Sequence, residues 1–246
     1  MTESFSHSGT GTPTALIVAH GAPADPAPQQ TAVEALAALV AAQLPGWRVA
    51  GATLAAPGAL EAALAAHPQA LIYPFFMAEG WFTRTTLPRR LAAAGAAGLR
   101  QLPAFGSDAG ITDLMQQVAL DGARAAGLPP GQTTLLIAAH GSQVSRASAN
   151  ITRALATQLA TRGSFAAVTV GFLEEAPFLA DAALGLGPAL CLPFFALRAG
   201  HVASDVPAAL AQAGFAGPLL PAIGEHRAAA TLIAGALRRA VAAAGS

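Results

Sequence analysis

A chain of 246 residues, 54% hydrophobic and 11% charged, can bury a sizeable core as one large α/β domain or two small ones. Its 13 cationic side chains are all arginine and balance 13 acids to a formal net charge of zero, which argues against nucleic acid and anionic membrane surfaces as partners. The absence of lysine excludes Schiff-base chemistry and a Walker-type phosphate lysine, and the one cysteine, Cys191, excludes an internal disulfide and a thiolate metal site.

Residues 1–12 are rich in Ser, Thr and Gly and read as a flexible tail, without the basic and apolar regions of a signal peptide. Ala15 to Ala19 is a short apolar run ending at His20-Gly21, and Gln29 to Gln43 has helical spacing. Val49 to Leu54 is a second strand, Ala59 to Ala66 a short helix and Ala70 to Phe76 a third strand. A helix is expected from about Leu87, a fourth strand over Arg100 to Ala104 and a fourth helix over Ile111 to Ala126. Gly127 would cap that helix, and Leu128-Pro-Pro-Gly-Gln132 reads as a linker. The order then returns. Thr134 to Ala139 ends at His140-Gly141, Ala147 to Thr161 is helical, Val168 to Phe172 is a strand and Phe178 to Leu184 a short helix. Ala189 to Phe195 is a strand, with Cys191 as a small buried hydrophobe inside it. A loop carries His201 toward a helix capped by Ser204 or Asp205 ahead of Pro207, and Pro218 to Pro221 leads to a final helix ending near Ala243. No uncharged run of about 18 strongly apolar residues appears, so a cytoplasmic protein without a membrane span is expected.

Local matches mark a duplication. Leu16-Ile-Val-Ala-His-Gly pairs with Leu136-Ile-Ala-Ala-His-Gly, and Pro103-Ala-Phe-Gly with Pro221-Ala-Ile-Gly. Tyr73-Pro-Phe-Phe-Met-Ala-Glu-Gly-Trp-Phe-Thr-Arg-Thr-Thr-Leu-Pro88 pairs without a gap with Leu192-Pro-Phe-Phe-Ala-Leu-Arg-Ala-Gly-His-Val-Ala-Ser-Asp-Val-Pro207. The expected architecture is α/β: two tandem domains over 13–127 and 133–246, joined by 128–132, each a roughly four-stranded parallel sheet flanked by helices.

Differences between the copies locate chemistry. Phe82 stands where the second copy has His201, Thr86 where it has Asp205, and Ala55 where it has Glu174, while His20 and His140 are shared. Parallel strands put their carboxyl ends on one edge, so His140 and His201 can face one cleft. Two imidazoles with a carboxylate suit a divalent first-row metal, and histidine also suits proton transfer near neutral pH. Alternatively, His140-Gly141 is only a strand-end turn, as its recurrence at His20-Gly21 allows.

The segments Leu-Leu-Ile-Ala-Ala-His140-Gly-Ser142, Val-Gly-Phe-Leu-Glu174-Glu-Ala-Pro177 and Leu-Pro-Phe-Phe-Ala-Leu-Arg-Ala-Gly-His201-Val-Ala-Ser-Asp205-Val-Pro207 resemble the class II chelatases. The likeness is to the CbiX-like sirohydrochlorin cobalto- and ferrochelatases in their double-length form. It covers the second half closely and the first as a degenerate copy. It implies insertion of cobalt or iron into a sirohydrochlorin-type tetrapyrrole, in cobalamin or sirohaem formation. His140 and His201 would handle the metal and Glu174 would assist. The active copy would be the second half, with the first as wall or lid. No lasting cofactor is implied, because the divalent metal (cobalt, iron or nickel) and the tetrapyrrole are both substrates. A monomer with pseudo-twofold halves is expected. Arg146 and Arg198, then Arg84, are candidates to bind substrate carboxylates, with Ser142 beside them and Trp81 and Phe82 to stack on the macrocycle. Ordinary solvated charge is the alternative for the arginines, and inter-domain core for the two aromatics. Two other functions remain in view. Gly141-Ser142 beside His140 suggests a hydrolase, but no Gly-x-Ser-x-Gly elbow is present. A non-catalytic metal- or tetrapyrrole-binding relative of a chelatase is the other.

Overall fold

A computed structural model describes residues 12–197 and 201–243, with His201 as backbone only. The expected tail at 1–12 lies outside the described residues except for Thr12, and Arg198 lies outside them altogether.

Strands β1 (Thr14–Ala19), β2 (Arg48–Thr53) and β3 (Leu71–Pro74) form a parallel sheet in the order β2-β1-β3. Helices α1 (Ala27–Ala42) and α2 (Ala59–Ala66) connect them, and α3 (Leu87–Ala93) and α4 (Ile111–Ala125) follow. The second sheet repeats this order as β5-β4-β6, from β4 (Thr134–Ala139), β5 (Ala167–Phe172) and β6 (Ala189–Pro193). Its helices are α5 (Ala147–Thr161), α6 (Leu179–Ala183), α7 (Val206–Gln212) and α8 (Arg227–Ala242). Central strands β1 and β4 are apolar runs buried on both faces, as parallel sheets require. Alternation along β1 sends Ala15, Ile17 and Ala19 into one cluster and Leu16 and Val18 into another. Leu135, Ile137 and Ala139 of β4 join the first of these, so one core runs through both halves, while Leu136 and Ala138 face a separate cluster with Cys191. Burial pushes the Cys191 thiol up to about 12, in keeping with an inert apolar role.

The expected fourth strands are corrected. Each sheet has three strands, and the fourth segment contributes one isolated bridge, Gln101 beside Ile72 and Leu219 beside Cys191. The ladder stops because the next donors toward the fourth segment would be Pro74 and Pro193, which have no N–H, and the Ala104 N–H goes instead to Glu79 Oε1 at 2.6 Å. The repeated Pro-Ala-x-Gly motif has a separate cause. A Cβ at Gly106 would stand 2.0 Å from the Met77 carbonyl oxygen, and one at Gly224 would stand 2.0 Å from that of Ala196. Only glycine admits this approach, which is fastened by Gly106 N–H to Phe76 O and Gly224 N–H to Phe195 O, both 3.0 Å.

The covering helices are exchanged between the halves. Helix α4 packs against α5 and β6, and α8 packs against α1 and β3. Thr112 donates to Gln158 at 2.6 Å and Gln116 to Ser164 at 2.8 Å, while Arg100 reaches the carbonyl of Ala240 at 2.7 Å. Arg239 of α8 pairs at 3.2 Å with Asp108, whose side chain is only 7% exposed. Among the described residues no helix is long and apolar enough to cross a membrane.

Candidate active site

Strands β1 and β4 end in the two His-Gly turns. Gly21 has φ of 80° and Gly141 φ of 72°, a left-handed conformation that glycine takes without strain. Each turn folds the imidazole over the next carbonyl, with His20 Nδ1 2.8 Å from Gly21 O and His140 Nδ1 3.0 Å from Gly141 O. A carbonyl only accepts, so Nδ1 carries the proton and Nε2 keeps the lone pair of the neutral ring.

Both histidines line one open cleft of about 360 Å3 at the carboxyl edges of the two sheets. Its first-half wall is apolar and aromatic, made of Phe75, Phe76, Met77, Trp81 and Phe82; Phe195, Ala196 and Leu197 line the other side. Phe82 meets His20 edge to face at 4.2 Å between ring centroids and lies nearly parallel to Phe76 at 6.2 Å. Trp81 is 65% exposed, with Arg89 5.7 Å from its ring, and Phe82 is 40% exposed, so neither is inter-domain core.

Backbone bonds fix the correspondence of the halves. Ala55 N–H donates to His20 O at 2.9 Å as Glu174 N–H donates to His140 O at 3.0 Å. At the second place a carboxylate appears, with Glu174 Oε1 3.7 Å from His140 Nε2. The segment carrying His201 is a π-helical turn, His201–Asp205, running directly into α7, and its counterpart in the first half is Phe82–Thr86. The loop and side-chain cap expected there are therefore replaced by continuous helix, in which Asp205 has helical dihedrals and Pro207 follows directly on the π-helical turn.

The other expected site residues are spread around this centre. Ser142 and Arg146 follow His140 outside the residues lining the cleft. Ser142 Oγ accepts the N–H groups of Val144 and Ser145 at 3.2 and 3.1 Å, which uses it within its own loop. Arg146 and Arg84 are exposed and carry no ion pair among the described residues. Three features escaped the sequence. Gln29, 7% exposed, lines the cleft. Glu79 pins the first-half loop, accepting from Ala104 N–H at 2.6 Å and from Thr83 Oγ1 at 2.8 Å. Glu175 accepts the Ser142 N–H at 2.8 Å. Glu175 and Glu79 had a visible signal, since Ala56 stands in the place of Glu175 and Arg198 in the place of Glu79.

Two facing parallel sheets with histidines and a carboxylate at an aromatic cleft define the class as a tandem chelatase-like α/β protein. The model of the CbiX family matches residues 134–240. The structure of a CbiX described as the terminal enzyme of siroheme biosynthesis in denitrifying bacteria is similar at 53% identity, covering 93% of this chain and 99% of that one, with a TM-score of 0.85. A multi-domain protein of Deinococcus radiodurans with structural similarity to chelatases matches at 25% identity over 92% of this chain and 55% of its own, with a TM-score of 0.72. SirB from Bacillus subtilis with Fe3+, at 14% identity and a TM-score of 0.72, covers 93% of this chain and 95% of its own and shares the fold. No curated protein matches the chain. The chain belongs to the CbiX family.

Proposed function

We propose that the chain is a sirohydrochlorin chelatase, inserting a divalent metal (cobalt or iron) into the free-base tetrapyrrole. Metal and macrocycle are both substrates, and no resident cofactor is involved. The observation that carries this reading is His140 with Glu174 at one side of a cleft whose other side is an aromatic wall. Insertion removes two pyrrole N–H protons and strips water from the ion, so it needs basic lone pairs beside a flat apolar surface. In the neutral ring, a His140 Nε2 lone pair and a carboxylate oxygen 3.7 Å away are brought together by a cation or proton between them. A divalent ion bonded at about 2.0 to 2.2 Å to each donor suits that spacing.

His201 is assigned as the second metal-handling imidazole, because its counterpart Phe82 is the residue that reaches the strand-end histidine in the first half. Few protein ligands suit an ion that must be passed on. Trp81 and Phe82 are assigned to the macrocycle face, and Arg146 and Arg198, with Ser142 nearby, to its carboxylates. The working chain is assigned as a cytoplasmic monomer with domains at 13–127 and 133–246. Sirohydrochlorin mixed anaerobically with Co2+, Fe2+ or Ni2+ and the purified protein tests this by absorbance. Turnover beyond the uncatalysed rate supports it, and stoichiometric binding without turnover refutes it in favour of a carrier.

A further inference from the structure

The second half carries a charged strap that the first lacks. Glu175 Oε1 accepts the Ser142 N–H at 2.8 Å, two residues beyond His140, and its side chain is only 19% exposed. The carboxylate also crosses the His140 turn itself. A Cβ at Gly141 would come within 2.9 Å of Glu175 Cγ and 3.1 Å of its Oε1, so the glycine leaves the space that this side chain fills. Behind it stands Arg153 of α5. Its Nη2 lies 3.8 Å from Glu175 Oε2 and donates to Ala176 O at 3.0 Å, and its guanidinium lies 4.8 Å from the Phe172 ring centroid. Three segments meet here: the turn after β4, the helix that follows it and the end of β5. At the corresponding places in the first half stand Val33, fully buried, and Ala56, whose N–H turns instead to Thr53 Oγ1 at 3.2 Å. Neither can carry charge.

We infer that Glu175, anchored by Arg153, is a positioning residue for His140, holding the His140-Gly141-Ser142 turn by its bond to the Ser142 amide and its contact over Gly141. This rests on the chelatase reading above for its consequence, but not for its geometry. An amide donating to a carboxylate makes a charge-assisted bond, stronger than a neutral one. Such a bond fixes the turn whose next carbonyl, Gly141 O, sets the proton on His140 Nδ1. The imidazole then presents Nε2 toward Glu174 in one orientation. Loss of the strap lowers the fraction of molecules with His140 in place, and so lowers kcat while leaving affinity for the tetrapyrrole nearly untouched.

The test compares Glu175→Ala, Glu175→Gln and Arg153→Met in the full-length protein by cobalt insertion into sirohydrochlorin and by exchange of the Ser142 amide followed by NMR. Glu175→Ala is expected to lose roughly 10- to 100-fold in kcat, with KM for the tetrapyrrole within about twofold, and to speed Ser142 exchange by at least about tenfold. Glu175→Gln keeps an acceptor oxygen but loses the charge that Arg153 anchors, and is expected to fall between wild type and Glu175→Ala in both readouts. Arg153→Met leaves the carboxylate but frees it, and is expected to cost roughly 3- to 10-fold in kcat with faster Ser142 exchange; it carries the test should Glu175→Ala not fold. Wild-type kcat and a protected Ser142 amide in Glu175→Ala or Arg153→Met overturn the inference. So does a Glu175→Gln variant as impaired in kcat as Glu175→Ala. A wild-type protein that inserts no metal refutes the chelatase reading instead, and the amide-exchange contrast among the three variants then still decides whether the strap holds the turn.

Discussion

Alanine at His20 and at His140 tests the proposal that the first imidazole packs and the second reacts. His20 meets Phe82 edge to face at 4.2 Å and bonds Gly21 O at 2.8 Å. The ring pair contributes about 0.5 to 1.5 kcal/mol and the hydrogen bond about 1 kcal/mol, so His20→Ala is expected to cost about 1.5 to 2.5 kcal/mol of stability. For a chain of this size that lowers Tm by about 3 to 10 °C. Activity at a temperature well below Tm should stay within about tenfold, because Ala55 leaves His20 without a carboxylate counterpart to Glu174. His140→Ala loses a similar bond to Gly141 O and should cost only about 1 kcal/mol. In rate it should lose about 10²- to 10⁴-fold, the range for a positioned proton acceptor. Cobalt insertion and thermal melts on the same preparations, with circular dichroism to confirm folding, give both readouts. An inactive His20→Ala beside an active His140→Ala would refute the assignment of the working half.

Burial of Cys191, whose thiol stands at about 12, means that a thiol reagent should leave the native protein unmodified and label it only after unfolding. Burial and the neighbouring Arg227 hold His226 below the ordinary imidazole range, and its Nδ1 caps α8 by accepting the Ala228 N–H at 3.2 Å. A depressed folded-state value means that the unfolded chain binds the proton first, so stability should decline as pH falls from about 6.5 through the folded value. In His226→Asn, which caps without titrating, the acid-side fall in Tm should be shallower, and identical pH profiles would refute this. Gly106→Ala would drive a Cβ against the Met77 carbonyl oxygen at 2.0 Å and should lower Tm by at least about 6 °C, or prevent folding, whereas a wild-type melt would contradict the close approach. Arg198→Ala should raise KM for the tetrapyrrole about tenfold with kcat unchanged, the mark of a lost substrate contact; unchanged kinetics would return Arg198 to solvated charge.

The central strands and the duplication were legible because both rest on local pattern. Apolar runs such as Leu135 to Ala139 leave little choice but a strand buried on both faces, and α2 and α5 begin and end where their spacing predicts. The fourth strands were misread because Arg100 to Ala104 has strand composition, whereas the break comes from Pro74 on the neighbouring strand and from a glycine whose reason lies in the Met77 backbone. Exchange of α4 and α8 leaves no local trace either. An amphipathic helix shows that it has an apolar face, not which sheet receives it. The same limit applied at the site. His140, His201 and Glu174 stood out by comparison with Phe82 and Ala55, but Glu175 reads as one more charge until its carboxylate is seen over Gly141.

The differences between the copies form a consistent set, which supports the proposal that one half works while the other serves as its wall. In the first half Glu79 grips its own loop through Thr83 Oγ1 and Ala104 N–H, and Phe82 closes against His20. That half is held by bonds to itself and presents aromatic carbon to the cleft. In the second, Arg198 replaces Glu79 and Val202 replaces Thr83. An arginine accepts no hydrogen bond and a valine offers no hydroxyl, so the second copy's sequence does not carry the residues of that latch. Charge is instead gained at Glu174, Glu175 and Arg153, all at or behind the His140 turn. Helix exchange then couples the two, because α4 of the first half packs on β6, the strand that leads toward His201, and α8 packs on β3, the strand that leads into the aromatic wall. A flat substrate lying between such walls meets lone pairs on one side and a fixed apolar surface on the other, the asymmetry that metal insertion needs.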